Sequence, residues 1–401
     1  MFGDLEMANT LTAIMPKILA KALLVLRERA VMPRLVNGDY SNDAAVKGAT
    51  IDVPVPTAVG TRDVTPSQVP PAGTNTTAGT VQIQLNNWKQ NDPIYLTDKD
   101  VQEVEERHIL PGQLGEAVRA LANDVNADIL QEYLGVYGSY GVTTTIPFNS
   151  TDTVKHATQS RKVLNKQNCP KDSRRMVLNF DAEAEALALA QFADAEKTLS
   201  AVVKIEGEIG RKYGFDIVAD DACPTHTAGT ITTGFITKAA TTVVVGLKTL
   251  IGTTAASTGA IALKKGDILL IAGDTQQYVL TADATEASAA TDEAIFFEPG
   301  LKVEVDGSEA ITMVHSADGL AGVPYTVNLA FHRDAFAFAT RSLNAGLPTG
   351  GQNILSMQDP VTGLVLRLEV SRQHKQTAWE FDILWGAKLV RPELACRIVG
   401  D

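Results

Sequence analysis

The chain has 401 residues, 45% of them hydrophobic and 20% charged, with a net charge of −12. That is a globular composition with mass for two or three domains, and its acidity excludes a protein whose main task is gripping phosphate backbones through a basic face. Its three cysteines, Cys169, Cys223 and Cys396, lie far apart with no CxxC pair, so they read as buried thiols in a reducing compartment rather than a disulfide framework or zinc knuckle.

Near the N-terminus, LTAIMPKILAKALLVLRERAV is preceded by Asp4 and Glu6 and interrupted by Lys17 and Lys21. Its uninterrupted apolar run, Ala22 to Leu26, falls far short of the roughly 18 residues of a membrane span. Leu11, Ile14, Ile18, Ala22 and Val25 recur at helical spacing and predict an amphipathic helix; nothing in it directs the chain out of the cytoplasm. Next, TIDVPVP alternates Ile51, Val53 and Val55, and TVQIQLNNW alternates Val81, Ile83 and Leu85, so both read as half-buried strands able to pair as a long hairpin. Between them lies a tongue in which Pro66, Pro70, Pro71, Gly73 and Gly79 forbid a helix and discourage a central strand. A structureless stretch beyond about 12 to 15 residues is uncommon in compact domains, so the tongue is either a surface loop or a functional segment.

Leu114, Val118, Leu121, Val125 and Ile129 then draw one apolar stripe along a long helix. Further helices are predicted at 152–167, 181–195 and 332–342. From His226 the composition shifts, with no arginine between Arg211 and Arg333. TTVVVGL, KKGDILLIAG, QQYVLTADA, AIFFEPGL and EAITMV read as short strands of a small barrel or sandwich. Residues 227–320 hold five lysines against eleven carboxylates, which marks an acidic, outward-facing insertion. The chain returns through VPYTVNLAFHRDAFAFATRSL, read as a strand followed by a helix, and GLVLRLEVSRQ alternates Leu364, Leu366, Leu368 and Val370. The fold class is α+β with an inserted all-β domain.

Chemistry is thinly represented. Asp220, Asp221, Cys223 and His226 carry metal-ligating groups, but no second half-site appears, and a loop at a domain boundary is the stronger reading. Glu103, Glu106 and His108 suit a solvated helix start. GEIGRKYG is not a dinucleotide fingerprint, and the sequence has no GxxxxGK[ST], GxSxG or HExxH motif. His332 reads as a core or helix-start residue. The chain is therefore expected not to be an enzyme and to carry no cofactor or metal.

The order of an N-terminal helix, a hairpin tongue, a long helix and the closing LEVSRQHKQTAWEFDILWGAKLVRPELACRIVG resembles the major capsid (coat) proteins of tailed bacteriophages, with the Hong Kong 97-like fold. KKGDILLIAGDTQQYVLT with FFEPGL resembles the inserted β-domain of the subgroup typified by short-tailed enterobacterial phage coat proteins. NLAFHRDAFAFATRSL resembles the strand and helix that follow it, and Arg391 to Ala395 the usual final strand. The resemblance implies an N-terminal arm at 1–48, an extended loop at 49–97 lying across a neighbouring subunit, and a spine helix of the peripheral domain within 98–140. It further implies an axial domain begun at 141–226, an inserted β-barrel-like domain at 227–320, and the rest of the axial domain with peripheral strands at 321–401.

The implied function is self-assembly into hexamers and pentamers of an icosahedral shell enclosing double-stranded DNA without sequence-specific binding. Assembly in the host bacterial cytoplasm would pass through a scaffold-assisted procapsid that expands. Scaffolding and portal proteins, and in some relatives a decoration protein, are the implied partners; no membrane is involved, and the destination is the virion. No cleaved prosegment is expected, and stabilisation is expected to be noncovalent. Arg62, Asp63, Trp88, Lys89, Glu103, Glu105, Glu106 and Arg107 are the candidate inter-subunit contacts. Asp283, Glu286, Asp292 and Glu293 are the candidates in the inserted domain, with Lys248 to Gly259 as the alternative location. An encapsulin-like bacterial shell protein shares the fold but normally lacks the insertion. A β-rich adhesin or binding module would explain the Thr-rich strands but not the long helix.

Overall fold

A computed structural model describes residues 11–40, 50–56, 61, 63–64, 66, 78–100, 112–151, 154–193, 209–231, 234–238, 242–254, 261–286, 292–315, 322, 324–343 and 352–401. The chain divides into two compact units, Met1–Ala122 with Phe336–Arg391, and Asn123–Ala335 with Pro392–Asp401.

In the first unit the N-terminal helix, Leu11–Arg29, buries Met15, Ile18, Leu19, Ala22, Leu23 and Leu26 along one face, as the helical spacing of its apolar residues dictates. Arg27 Nε donates to Asp359 Oδ1 at 2.9 Å, and Asp359 also accepts from Thr362 N and Oγ1 at 2.9 and 2.6 Å. Burial alone would raise the Asp359 carboxyl, but these hydrogen bonds together hold it below the usual carboxylate range. Thr50–Val55 pairs antiparallel with Gly79–Gln84, Ile51 opposite Ile83 and Val53 opposite Val81. The alternation puts Ile51, Val53 and Ile83 into a core with Leu85, Ala337, Ala339 and Val390. Gly386 lets this hairpin base approach, since a Cβ there would lie 2.3 Å from the Gln84 carbonyl oxygen. The main sheet runs Phe336–Thr340, Gln376–Leu389, Val365–Arg372, Gln352–Gln358, with Asn87–Gln90 and Ile94–Thr97 also paired to the long strand Gln376–Leu389.

The second unit is built on a seven-stranded mixed sheet. Ser139–Gly141 lies parallel to Ala395–Gly400, which pairs antiparallel with Pro324–His332; next come Arg174–Leu178, Phe215–Ala219 and Gly210–Lys212, while Thr225–Thr227 pairs with Pro324–His332. The helices of this unit include Lys155–Lys166 and Phe180–Ala188, the latter capped by Asn179 Oδ1 accepting from Ala182 N at 3.1 Å. Between Thr225–Thr227 and Pro324–His332 the described residues form strands and connections only. A six-stranded sheet and a two-stranded one enclose a core of their own that includes Phe235, Leu263, Tyr278, Ile295 and Phe297. The strands where the chain leaves and re-enters the seven-stranded sheet are themselves paired, His226 opposite Tyr325.

The long helix is observed at Gly112–Gln131, followed by a 3-10 turn Glu132–Gly135, with Leu114, Val118, Leu121, Val125 and Ile129 all buried. The helices predicted at 152–167 and 181–195 appear as Lys155–Lys166, Phe180–Ala188 and the short Ala190–Ala193. The helix predicted at 332–342 is wrong. After a 3-10 turn at Arg333–Ala335, Phe336–Thr340 is a strand paired with Gln376–Leu389, and every one of its five residues is buried. Alanine alternating with phenylalanine fits a strand covered on both faces, and this tertiary pairing overrides alanine's helix preference. TTVVVGL is not a strand either. Among its described residues only Val243 forms a bridge, to Val305; the chain then turns, and the strand runs at Thr249–Thr254. Cys169 and Cys396 are buried free thiols and Cys223 a half-buried one.

Phe297 is about 1% exposed in the core of the β-only segment. Phe297→Ala should lower stability by about 3 to 5 kcal/mol, read as a shift in the urea midpoint.

Candidate assembly surfaces

Strand Asn87–Gln90 follows the hairpin directly and pairs with the long strand, Trp88 opposite Leu384 and Lys89 opposite Ile383. Trp88 is 58% exposed, yet its position is fixed. Its Nε1 donates to Asp382 Oδ2 at 3.1 Å, and the Arg367 guanidinium lies 5.7 Å from the ring centre. Arg367 Nε also donates to Asp382 Oδ1 at 2.8 Å, and NH2 closes a second, shorter bond to Oδ2. The fork binds the carboxylate from the directly opposite register position, so geometry as well as charge holds the aromatic ring. Lys89 Nζ stands 5.9 Å from the centre of the buried Trp385 ring. Tyr95, 53% exposed, sits on Ile94–Thr97, paired with the same long strand. Glu369 and Glu380 face each other across the neighbouring rungs; burial first, then Glu369 and Asp382, push the Glu380 carboxyl up.

Of the other predicted contacts in this unit, Asp63 is exposed, while Arg62, Glu103, Glu105, Glu106, Arg107 and His108 lie outside the described residues. Every described residue from Pro56 to Thr80 is exposed, Val64 by 92%. Gly79 and Thr80 still pair with Val55 and Pro54 at the hairpin base, while the described residues from Pro56 to Ala78 belong to no strand.

In the β-only segment, Asp283 Oδ2 lies 3.6 Å from Lys264 Nζ and its Oδ1 accepts from Lys265 N at 2.6 Å. Asp292 pairs with Lys238. Glu293 lies on Glu293–Glu298; Glu286 ends Ala284–Glu286, and its side chain lies outside what is described. Sequence reasoning missed the apolar surface here. Thr249 opposite Phe296 and Ile251 opposite Ala294 present one exposed face, and Val244, Val245, Leu247 and Val303 are also exposed. In TLIGTT and EAIFFE both faces of each strand carry apolar residues, so alternation could not separate inside from outside.

The metal-like cluster does not converge, and among the described residues no group of three or more His, Cys, Asp or Glu is arranged to hold a metal ion. Asp220 instead accepts from Asn126 Nδ2 at 2.9 Å and from Ala222 N at 2.8 Å. Burial pushes the Cys223 thiol up, with Asp220 and Asp221 adding to the shift. His226 turns to other partners. Its Nδ1 meets Tyr133 OH at 2.9 Å and its Nε2 meets Asp267 Oδ1 at 2.9 Å, while Asp267 Oδ2 accepts from Gly229 N and Lys264 N at 3.1 and 2.7 Å. All three side chains are buried, so this Tyr-His-Asp chain has no open face for a substrate. Arg397, also fully buried, donates to the Gly266 carbonyl at 2.6 Å and stacks 5.1 Å from the Tyr133 ring centre. Burial pushes its guanidinium down to about 10, which leaves it charged at neutral pH. Beyond Tyr325, whose ring lies 5.4 Å from that of His226, sits His315, buried and with neither ring nitrogen hydrogen-bonded among the described residues.

No protein-family model matches the sequence, and no curated protein matches it. Among solved structures, one of Mycobacterium phage Che8 is similar over 91% of this chain and 89% of that chain, at 14% identity and a TM-score of 0.47. The capsid structure of the cyanophage P-SCSP1u matches over 88% and 84%, at 11% identity and a TM-score of 0.44. A virus-like particle from Pyrococcus furiosus matches over 94% and 96%, at 8% identity and a TM-score of 0.41.

Burial, then the charges of Arg397 and His226, depress His315 to about 3. Its folded-state value lies below the unfolded one, so between about pH 6.5 and 3 the unfolded chain binds the extra proton and stability falls as pH falls. In urea denaturation across that window, His315→Gln should show a slope shallower by up to about 1.4 kcal/mol per pH unit.

Proposed function

We propose that this chain is the major capsid protein of a tailed bacteriophage, with the Hong Kong 97-like fold, and that identical copies close into an icosahedral shell around double-stranded DNA. The observation that carries the reading is the hairpin. Its base is locked into a core by Ile51, Val53 and Ile83, yet every described residue beyond it, from Pro56 to Ala78, is exposed. A segment with an anchored root, whose described residues from Pro56 to Ala78 are all exposed, suits an arm whose buried face is supplied by a neighbouring copy. The order of elements supports the same reading: N-terminal helix, arm, long helix, a mixed α+β unit, then strands that return to the first unit.

On this reading the strands between Phe235 and Met313 are the inserted domain, and its exposed face around Ile251 and Phe296 is its contact with another capsomer. This favours the alternative location near Lys248 to Gly259 over the acidic positions, two of which engage lysines of their own chain. Arg62, Asp63, Trp88, Lys89, Glu103, Glu105, Glu106 and Arg107 form contacts between subunits near the arm and before the long helix. Scaffolding and portal proteins guide assembly in the host bacterial cytoplasm, a decoration protein is compatible with the outer surface, and the shell expands by rigid-body shifts of the units. Contacts repeated by symmetry let modest pairwise energies add up to a cooperative particle, while each remains weak enough to correct errors.

The chain should be expressed alone and with a scaffold, with particle mass measured by sedimentation and imaged in negative stain. Closed shells or capsomer-sized rings are expected; a strict monomer under both conditions would transfer the reading to a binding module. Replacing residues 57–77 by a two-residue turn should leave the urea midpoint unchanged and abolish closed shells. Trp88→Ala should cost about 2 kcal/mol per contact in assembly, because an exposed aromatic whose position is already fixed behaves as a hot spot where a partner covers it. It would show as a higher critical concentration for shell formation with little change in monomer stability.

A further inference from the structure

The second unit contains a cavity of about 370 Å³, large enough for a small ligand, that the assembly reading does not use. One wall is the helix Lys155–Lys166, which turns Gln159, Lys162, Val163 and Lys166 toward it at spacings of three and four, one helical face. The β-only segment also reaches the cavity, with Leu270, Gln277 and Lys302 among its residues there, and Tyr137, Tyr140 and Gln167 line it too. These walls are tied together. Ser139 N donates to Gln277 Oε1 at 2.7 Å and Gln277 Nε2 donates back to Ser139 O at 3.3 Å, while within the β-only segment Lys302 N donates to Tyr278 OH at 3.0 Å.

Lys162, Lys166 and Lys302 form no ion pair with a described carboxylate, and no Asp or Glu lines the cavity. Glu393, which adds to the upward push of burial on the Tyr137 phenol, is not among the lining residues. Three lysines without counterions select an anion, and as compact point charges with free donors they suit phosphate. The rest of the lining selects more than an anion. Two tyrosines with Val163 and Leu270 offer apolar and aromatic surface on which a base can stack. Gln167 also lines this cavity, and its Oε1 is a buried acceptor without a donor among the described residues, which a rotation of the half-buried side chain would bring to a ligand. An exocyclic amine of a base satisfies it; the carboxylates of an acidic peptide side chain do not.

We propose that this cavity binds a nucleoside phosphate carrying an amino group on its base, with phosphates on Lys162, Lys166 and Lys302 and the base against the tyrosines. Free nucleotide and a single-stranded stretch of nucleic acid share this chemistry.

The test is calorimetric titration of the full chain with adenosine triphosphate, inorganic tripolyphosphate, an eight-residue deoxyadenosine oligonucleotide and a glutamate octapeptide. Expected is saturable binding of adenosine triphosphate at one per chain, about tenfold or more weaker in Lys162→Gln/Lys166→Gln. Tyr140→Leu should weaken adenosine triphosphate but not tripolyphosphate. If nucleic acid is the source, the oligonucleotide displaces the nucleotide and its log affinity falls with log salt at a slope of about −2, as three contacts on a single strand require. If free nucleotide is the source, adenosine triphosphate binds tighter than the oligonucleotide. No saturable binding of either, unchanged binding in the double lysine variant, or tighter binding of the glutamate peptide would overturn the proposal. Both lysines are exposed, so a wild-type melting curve for the double variant confirms its fold. The readout does not depend on shell formation, so this proposal and the capsid reading fail separately.

Discussion

A positive charge with no exposed surface organises the second unit. Arg397 lies in the strand Ala395–Gly400 and reaches the Gly266 and Leu134 carbonyls at 2.6 and 3.3 Å. Beside it, Asp267 brings a buried negative charge from the β-only segment to His226 on the strand from which that segment departs. Burying such groups is tolerable only where they are hydrogen-bonded, and here the guanidinium's two terminal nitrogens, the imidazole and the carboxylate each have partners. Gly266 makes that arrangement possible. At φ +96° it adopts a backbone that L-residues avoid, and a Cβ there would lie 2.6 Å from Leu134 Cδ2 and 3.1 Å from His226 Cε1. The β-only segment is thus joined to the mixed sheet by directional polar contacts rather than by apolar burial alone, which fixes its orientation as well as its attachment.

Much of this fold is written in local pattern. The apolar stripe from Leu114 to Ile129 and the alternation at Ile51, Val53 and Ile83 each become buried faces, because period alone decides which side of a helix or strand meets the core. Where a strand is covered on both sides, the pattern loses that power. Phe336–Thr340 carries alanines that would suit a helix, and only its pairing with a strand some fifty residues later makes it extended. The polar node was illegible for a different reason. His226 and Asp267 are 41 residues apart, and nothing in either neighbourhood announces the other. Reading Asp220, Asp221, Cys223 and His226 together followed proximity in sequence, whereas the fold sends Asp220 to Asn126 and His226 to Tyr133. Trp88 was legible in sequence as a contact candidate at the end of a strand, but not what holds it; the arginine fork that immobilises it comes from residue 367.

Copies that each carry a net charge of −12 repel one another at long range, so the proposed assembly requires short-range contacts that outweigh this. The surface is arranged accordingly. Asp292 and Asp283 are held near lysines of their own chain, while Phe296, Ile251, Trp88 and Tyr95 offer apolar area. Repulsion that falls off with salt, set against apolar contact that does not, would place the proposed assembly under the control of ionic strength.

The strand that carries Trp88 is hydrogen-bonded to a segment 294 residues further along the chain. At about 5 to 20 residues per second, a ribosome needs roughly 15 to 60 s to supply that partner once the strand has emerged. For most of that interval the hairpin core also lacks Ala337, Ala339 and Val390, so Ile51, Val53 and Ile83 are only partly covered by their own chain. The nascent polypeptide therefore displays sticky strand edges for most of its synthesis. Cellular chaperones, or the dilution of one nascent chain from the next along a message, become part of what determines the yield of usable subunits.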